Sequence, residues 1–102
     1  MKKFIFDAVA NKKIPVRSIK DFTHPKHPGY KFFVHRKYKG DGEFMKDSFT
    51  VTETTTGCAV YDYGSSVKEA LDLAIKTLNK VSPKEMEVAI AKARLRITEG
   101  GK

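Results

Sequence analysis

The 102-residue sequence has little cysteine, no long apolar run and few acidic residues in its first part. Its single cysteine, Cys58, cannot form an internal disulfide, which excludes a disulfide-stabilised scaffold and suits a reducing compartment. No stretch approaches the roughly 20 apolar residues of a membrane span. The short apolar run Phe4–Phe6 is followed too soon by Asp7 and Asn11 for a signal peptide. These absences predict a cytoplasmic protein with no membrane partner.

Motifs for catalysis and metal binding are also missing. No Gly-x-Ser-x-Gly turn occurs, and Gly40–Gly42 lacks the context of a phosphate loop, so it predicts a hairpin turn. His24 and His27 flank prolines with no cysteine or acid nearby, whereas structural zinc usually needs four ligands. We therefore expect a solvated loop there and no metal. Cys58 is interpreted as a small core residue rather than a nucleophile, so the sequence predicts a binding protein without a cofactor, not an enzyme.

What the sequence does contain is a charge division along the chain. Residues 1–40 hold nine Lys and two Arg against two Asp, a net charge of +9, whereas residues 41–102 sum to −1. All three histidines and seven of the eleven aromatic residues lie in the same first segment. Cations interleaved with aromatic rings suit phosphate contact and base stacking, so the division predicts a phosphate-bearing partner.

Periodicity predicts an α+β fold, an antiparallel β-meander in the N-terminal part packed by two C-terminal helices. The extended or strand segments expected are 2–6, 12–19, 30–38, 48–54 and 58–63. Ser66 with Glu69 forms a capping box before a stripe of apolar residues at helical spacing. Ser82 with Glu85 forms a second box, which predicts another helix from Pro83 to about Arg96. We expect one domain of 102 residues.

Burial and assembly follow from the same pattern. The strand at 30–38 is expected to place Tyr30, Phe32, Val34 and Tyr38 on one face. The first helix is expected to bury Leu71, Ile75 and Leu78. A core this small favours a homo-oligomer, and the second helix offers candidate interface residues. These are Met86, Ile90 and Ile97.

Eight residues are candidate ligand contacts, and no catalytic residue is assigned. The candidates are Tyr30, Lys31, His35, Arg36, Thr55, Thr56, Arg94 and Arg96. The tyrosine would stack a base, and the basic side chains would contact phosphate. The two threonines precede Gly57 in a tight turn whose hydroxyl and N–H groups can hold an anion, with an ordinary strand-ending turn as the alternative.

The second half of the chain resembles a known group of small phage proteins. The strand ending in Thr56-Gly57, the Gly64 turn into Glu69-Ala70-Leu71 and the two closing helices are similar to the anti-Thoeris sponges. The resemblance covers organisation over about half of the chain, and no ligand-contacting residue is carried over. It implies an oligomer in the host cell cytosol that holds a cyclic ADP-ribose or cyclic oligonucleotide type of ligand without cutting it.

Two other functions stay open on the residues alone. A nucleic-acid-binding module needs an extended basic face, which residues 1–40 can supply. A protein–protein inhibitor, of the anti-CRISPR or antitoxin type, needs no sequence signature at all. The salt dependence of binding separates the first of these from an enclosed nucleotide site.

Overall fold

A computed structural model describes residues 3–7 and 9–100 of the chain, with side chains up to residue 95. This part confirms the α+β fold, with antiparallel strands followed by two helices. The strands are β1 (Lys3–Asp7), β2 (Lys12–Val16), β3 (Lys20–Thr23), β4 (Lys31–Gly40), β5 (Glu43–Glu53) and β6 (Ala59–Gly64). The helices are α1 (Val67–Lys80) and α2 (Pro83–Gly100). Within the described residues, no helix is long and apolar enough to cross a membrane.

The strands form two separate sheets. β1 and β2 make a two-stranded hairpin, and β3-β4-β5-β6 make a four-stranded sheet in chain order. Pro15 is tolerated in β2 because its exposed position lies in a two-stranded ribbon. The extended segment expected at 12–19 ends earlier, at Val16. The next strand, β3, was not predicted. Four residues with Phe22 as their one apolar side chain are too few to show a period.

The four-stranded sheet buries side chains on both faces. On one face Phe32, Val34 and Val51 pack under the helices. On the other face Phe33 packs with Ile5 and Ile14 of the β1–β2 hairpin. We call these the helix face and the hairpin face.

A bulge corrects one expectation about these faces. Tyr38 was expected beside Phe32, but it packs in the hairpin-face cluster against Phe44. The register of β4 with β5 shifts on both sides of Tyr38, where it pairs with Phe44. Because a bulge changes which side chains face each way, simple alternation fails at this position.

Capping groups fix the start of both helices. The Ser66 hydroxyl accepts a hydrogen bond from the Glu69 N–H, and the Glu69 carboxylate accepts one from the Ser65 N–H. Ser82 and Glu85 make the reciprocal pair in α2. Each box satisfies N–H groups that the first turn of a helix leaves without partners. The two predicted helix starts are confirmed.

The face that α1 buries is shifted from the expected one. Leu78 is buried as predicted, but Leu71 and Ile75 are half-buried, and Ala70 and Ala74 are fully buried instead. The cause is the close approach of α1 to the end of β6. Gly64 lies so near Ala70 that a Cβ on the glycine would collide with it. Small residues therefore face the sheet, and the larger ones flank them.

Candidate functional site

An open cleft of about 1000 Å³ lies between the β1–β2 hairpin and the edge of the four-stranded sheet. Its walls come from the open end of the hairpin, where Lys3 pairs with Val16, from the connection to β3, and from β3, β4 and β5. The lining residues are Lys3, Pro15, Val16, Arg17, Ser18, Ile19, Lys20, Asp21, Arg36 and Phe44. We call it the basic cleft, since four cationic side chains and one carboxylate line it.

The single carboxylate of the basic cleft is neutralised within the protein. Lys3 Nζ lies 3.4 Å from Asp21 Oδ2, and the Ser18 hydroxyl donates to Asp21 Oδ1. The hydrogen bond from Ser18, with the charge of Lys3, holds the pKa of Asp21 below its usual value although partial burial opposes this. The Lys3 side chain is itself largely buried and lies over the Phe33 ring. Lys3 is therefore a buried part of the cleft wall, and it pairs with Asp21 at the surface.

Three cations of the basic cleft remain available to a ligand. Arg17, Lys20 and Arg36 are exposed, and no carboxylate lies within 4.0 Å of them in the described part of the chain. Two of the three are arginines, whose planar guanidinium groups match phosphate bidentately. An uncompensated cluster of this kind attracts anions.

Apolar surface lies beside these cations. Ile19 is 43% exposed, although its N–H donates to the Val34 carbonyl and fixes the connection to the sheet. Phe44 is half-buried in the wall against Tyr38. The basic cleft thus offers an apolar surface for a ring system next to cations that can contact phosphate. A nucleotide combines these two chemical groups.

The structure brings one predicted ligand residue to this cleft, Arg36. Tyr30 is half-buried against the helix-face core, Lys31 is exposed at the start of β4, and Arg94 is exposed on α2. The side chain of Arg96 lies outside the described residues. The predicted set is therefore not a single surface.

His35 does not join a basic surface, because its side chain is buried at 1% exposure. Its Nδ1–H donates to the Arg36 carbonyl, and its Nε2 accepts from the Thr52 hydroxyl, 2.6 Å away. Burial lowers the pKa of His35, against the Arg36 hydrogen bond and the charge of Asp62, which raise it. The residue is a neutral member of the hairpin face.

The two loop histidines correct a prediction in the same way. The expected solvated loop is wrong, since His24 and His27 are 5% and 1% exposed. His24 Nε2 contacts Asn79 Oδ1 at 2.8 Å, and His27 Nε2 donates to the Leu78 carbonyl at 2.8 Å. These bonds fasten the loop to the C-terminal end of α1. Among the described residues, no group of three or more His, Cys, Asp or Glu side chains is placed to hold a metal.

The Thr55-Thr56 turn does hold an anion, but the anion belongs to the chain. The buried Glu53 carboxylate accepts from the Thr55 and Thr56 N–H groups at 2.8 and 2.9 Å. Both threonine hydroxyls donate to it as well. Four donors satisfy a carboxylate, so the turn's hydrogen-bonding groups are used internally. The sequence predicted that these groups could hold a ligand anion, whereas in the structure they bind the carboxylate of Glu53.

A second, smaller cavity of about 200 Å³ lies between α1, α2 and the sheet. It is mostly apolar, and Cys58 and Glu53 are among its lining residues. Cys58 is half-buried, and its thiol points to the Thr56 carbonyl at 3.9 Å. This volume is small for a nucleotide, which leaves the basic cleft as the candidate site.

Sequence reasoning missed most of the cleft. Arg17, Lys20 and Lys3 were counted in the basic segment but were not named as candidates. The charge of residues 1–40 was the signal that contained them.

Comparisons of the chain with protein-family models, with curated proteins and with solved structures find no match.

Proposed function

We propose that this protein binds a phosphate-bearing nucleotide in the basic cleft and releases it unchanged. The observation that carries the proposal is the cluster of Arg17, Lys20 and Arg36, exposed and without carboxylate partners among the described residues. Charged groups left unpaired around a concave surface favour an anionic ligand. The apolar wall beside them suits the base.

The chemistry of the lining supports binding rather than conversion. Asp21 is the acid of the cleft, and its lowered pKa makes it a weak base near neutral pH. Ser18 donates its hydroxyl hydrogen to that carboxylate and is not paired with a histidine in the described lining. A protein that only sequesters its ligand needs tight contacts, and it needs no nucleophile paired with a general base. The resemblance to anti-Thoeris sponges makes cyclic ADP-ribose and cyclic oligonucleotide ligands the first to test.

The test is retention of a nucleotide after the protein is incubated with a panel of candidates and separated from free ligand. Heating then releases the ligand for chromatography, where recovery of the unmodified nucleotide is expected. Recovery of an altered product would replace the proposal with an enzyme. Retention of no nucleotide would overturn it.

A matched pair of variants places the site. Arg36→Glu reverses a charge in the cleft and should weaken affinity about tenfold to a hundredfold, the value of a charge-assisted contact. Lys68→Glu makes the same change in net charge at an exposed position of α1, away from the cleft, and should have little effect. Equal losses in both variants would mean that ligand responds only to net charge.

A single nucleic-acid strand is the second candidate, favoured by the open shape of the cleft and by exposed Lys12 and Lys13 on the adjoining β2. Such a strand would release several counterions on binding. Its affinity should fall steeply with salt, whereas a mononucleotide should respond less. Retained short RNA or DNA with a steep salt slope would favour this second function.

A further inference from the structure

The second helix has two apolar faces that point in opposite directions. Met86, Ile90 and Ala93 are buried against the rest of the chain. Val88, Ala91 and Leu95 fall within an arc of about 60° on the other side, at about 100° per residue. Val88 is 44% exposed and Leu95 is 62% exposed. We call Val88, Ala91 and Leu95 the outer face of α2.

The inner face already has its partner, which changes the expected interface. Met86 and Ile90 were predicted to contact another copy, but each is 6% exposed within its own chain. The side chain of Ile97 lies outside the described residues. Among the described side chains of α2, the outer face is therefore the apolar surface left for contact with another copy.

Charged residues lie beside the outer face, and the exposed Lys84 continues its line one turn before Val88. Glu85 and Glu87 flank it near the start, and Lys92 and Arg94 flank it further along. Glu87, Lys92 and Arg94 are exposed, with no ion-pair partner among the described residues. The flanking charges are complementary between two copies of the helix, because the two glutamates near its start match the two cations further along. Lys84 forms the N-terminal end of the seam.

We propose that α2 pairs with α2 of a second copy of this chain through the outer face. The three apolar residues occupy the spacing of a short coiled-coil seam, with the charged residues at the flanking positions. In a parallel pair, Glu87 lies opposite the partner's Lys92. In an antiparallel pair with Val88 opposite Ala91, Glu87 lies opposite the partner's Arg94.

The same charges exclude a competing register. An antiparallel pair that sets Ala91 against Leu95 brings Arg94 opposite the partner's Arg94. It also brings Lys92 opposite the partner's Lys92. Like charges at flanking positions select against a register. This proposal is independent of the basic cleft and of its ligand.

Sedimentation equilibrium of the full chain over a range of concentrations tests the pairing. We expect a reversible dimer of the 11.5-kDa chain. Leu95→Glu should raise the dimer dissociation constant about tenfold or more, since it puts a charge in the seam. Val9→Glu makes the same kind of change at an apolar residue that is 99% exposed on the hairpin and should leave the constant unchanged. A monomer at every attainable concentration, or equal effects of the two changes, would overturn the pairing.

Charge exchange gives a second test that does not depend on apolar packing. Glu87→Lys should weaken the dimer in either direction of pairing. Adding Arg94→Glu should restore an antiparallel dimer, and adding Lys92→Glu should restore a parallel one. Restoration by one double variant supports the pairing and gives its direction. Failure of both to restore it would overturn charge-guided pairing through α2.

Discussion

The two faces of the four-stranded sheet differ in how much apolar surface they bury. On the helix face, eight buried side chains form one cluster with α1 and α2. On the hairpin face, the buried cluster has three members, and polar side chains, including His35 and Thr52, share that face. Because apolar burial is the main favourable term in folding, we infer that the helix face supplies most of the stability.

The exposed cations of the basic cleft lie on the side of the sheet with the smaller apolar core. The basic cleft opens on the hairpin side, where few apolar contacts hold the β1–β2 hairpin to the sheet. Ligand-binding segments are commonly drawn from the less stable parts of a protein. We infer from the comparison that the helix face specifies the fold, and the proposed ligand site lies on the other face.

Adjacent phenylalanines test this comparison directly, since Phe32 and Phe33 are both fully buried on opposite faces. Phe32→Ala should cost about 3–5 kcal/mol of unfolding free energy, the range for a well-packed aromatic. Phe33→Ala should cost at least about 1 kcal/mol less, because the hairpin can collapse toward the space left. Urea unfolding measures both. Equal losses would contradict the division between the faces.

The attachment of the hairpin depends on a glycine. Gly57 has φ +71°, and a Cβ there would lie 2.8 Å from both the Phe4 ring and the Phe6 nitrogen. The Phe6 N–H donates to the Gly57 carbonyl at 2.9 Å. Gly57→Ala should therefore cost about 2–3 kcal/mol, from strained backbone plus a lost β1 contact.

A second glycine provides the control for that change. Gly42 has φ +80°, and apart from its chain neighbours no residue comes within 4 Å of the place that a Cβ would occupy. Gly42→Ala should cost about 1 kcal/mol, from the backbone conformation alone. Thermal unfolding compares the two variants. If they lost the same stability, close packing of β1 on the turn would not contribute.

Local signals explain what could be predicted of the fold. Both helix starts follow from capping boxes that span four residues, so Ser66 and Ser82 identified them without tertiary information. Non-local pairing explains what could not. The bulge at Tyr38 depends on the register with β5, and the burial of His24 depends on Asn79, 55 residues away in sequence.

The sequence alone predicted the segment that contains the candidate site, but not the set of residues that forms it. The net charge of residues 1–40 indicated the correct region, and Arg36 was named within it. Which cations meet is decided by how the hairpin folds over the sheet. Arg17 and Lys20 reach the cleft through a connection whose position depends on the hydrogen bond from Ile19 to Val34.

Acid should weaken the hairpin face through His35. Burial lowers the pKa of the folded His35 from its ordinary 6.5, so the unfolded chain binds more protons on this residue below that pH. The stability contributed by neutral His35 is complete above about 6.5 and is lost as the pH falls toward the folded pKa, by up to about 1.4 kcal/mol per pH unit.

Comparison with His35→Gln isolates the contribution of this residue from that of the rest of the chain. The free energy of unfolding is measured in urea at pH about 7.5 and about 5.5 for both proteins. The native protein should lose more stability between the two values than the variant. An identical loss would show that other groups cause the acid sensitivity.

The smallest expected effect is a change in nucleotide affinity at Asp21, on the hairpin side of the sheet. Asp21 is the carboxylate of the basic cleft. Because Asp21 itself is exposed, its ion pair with the largely buried Lys3 contributes at most about 1 kcal/mol to folding. Asp21→Asn removes a negative charge that repels a bound phosphate, so nucleotide affinity should rise about threefold for an anion about 6 Å away in water. Isothermal titration with a retained nucleotide measures the change, and Asp72→Asn, at an exposed position of α1, controls for net charge. An unchanged or weaker affinity would mean that the phosphate lies elsewhere, and that the face with the smaller core is not the face that binds.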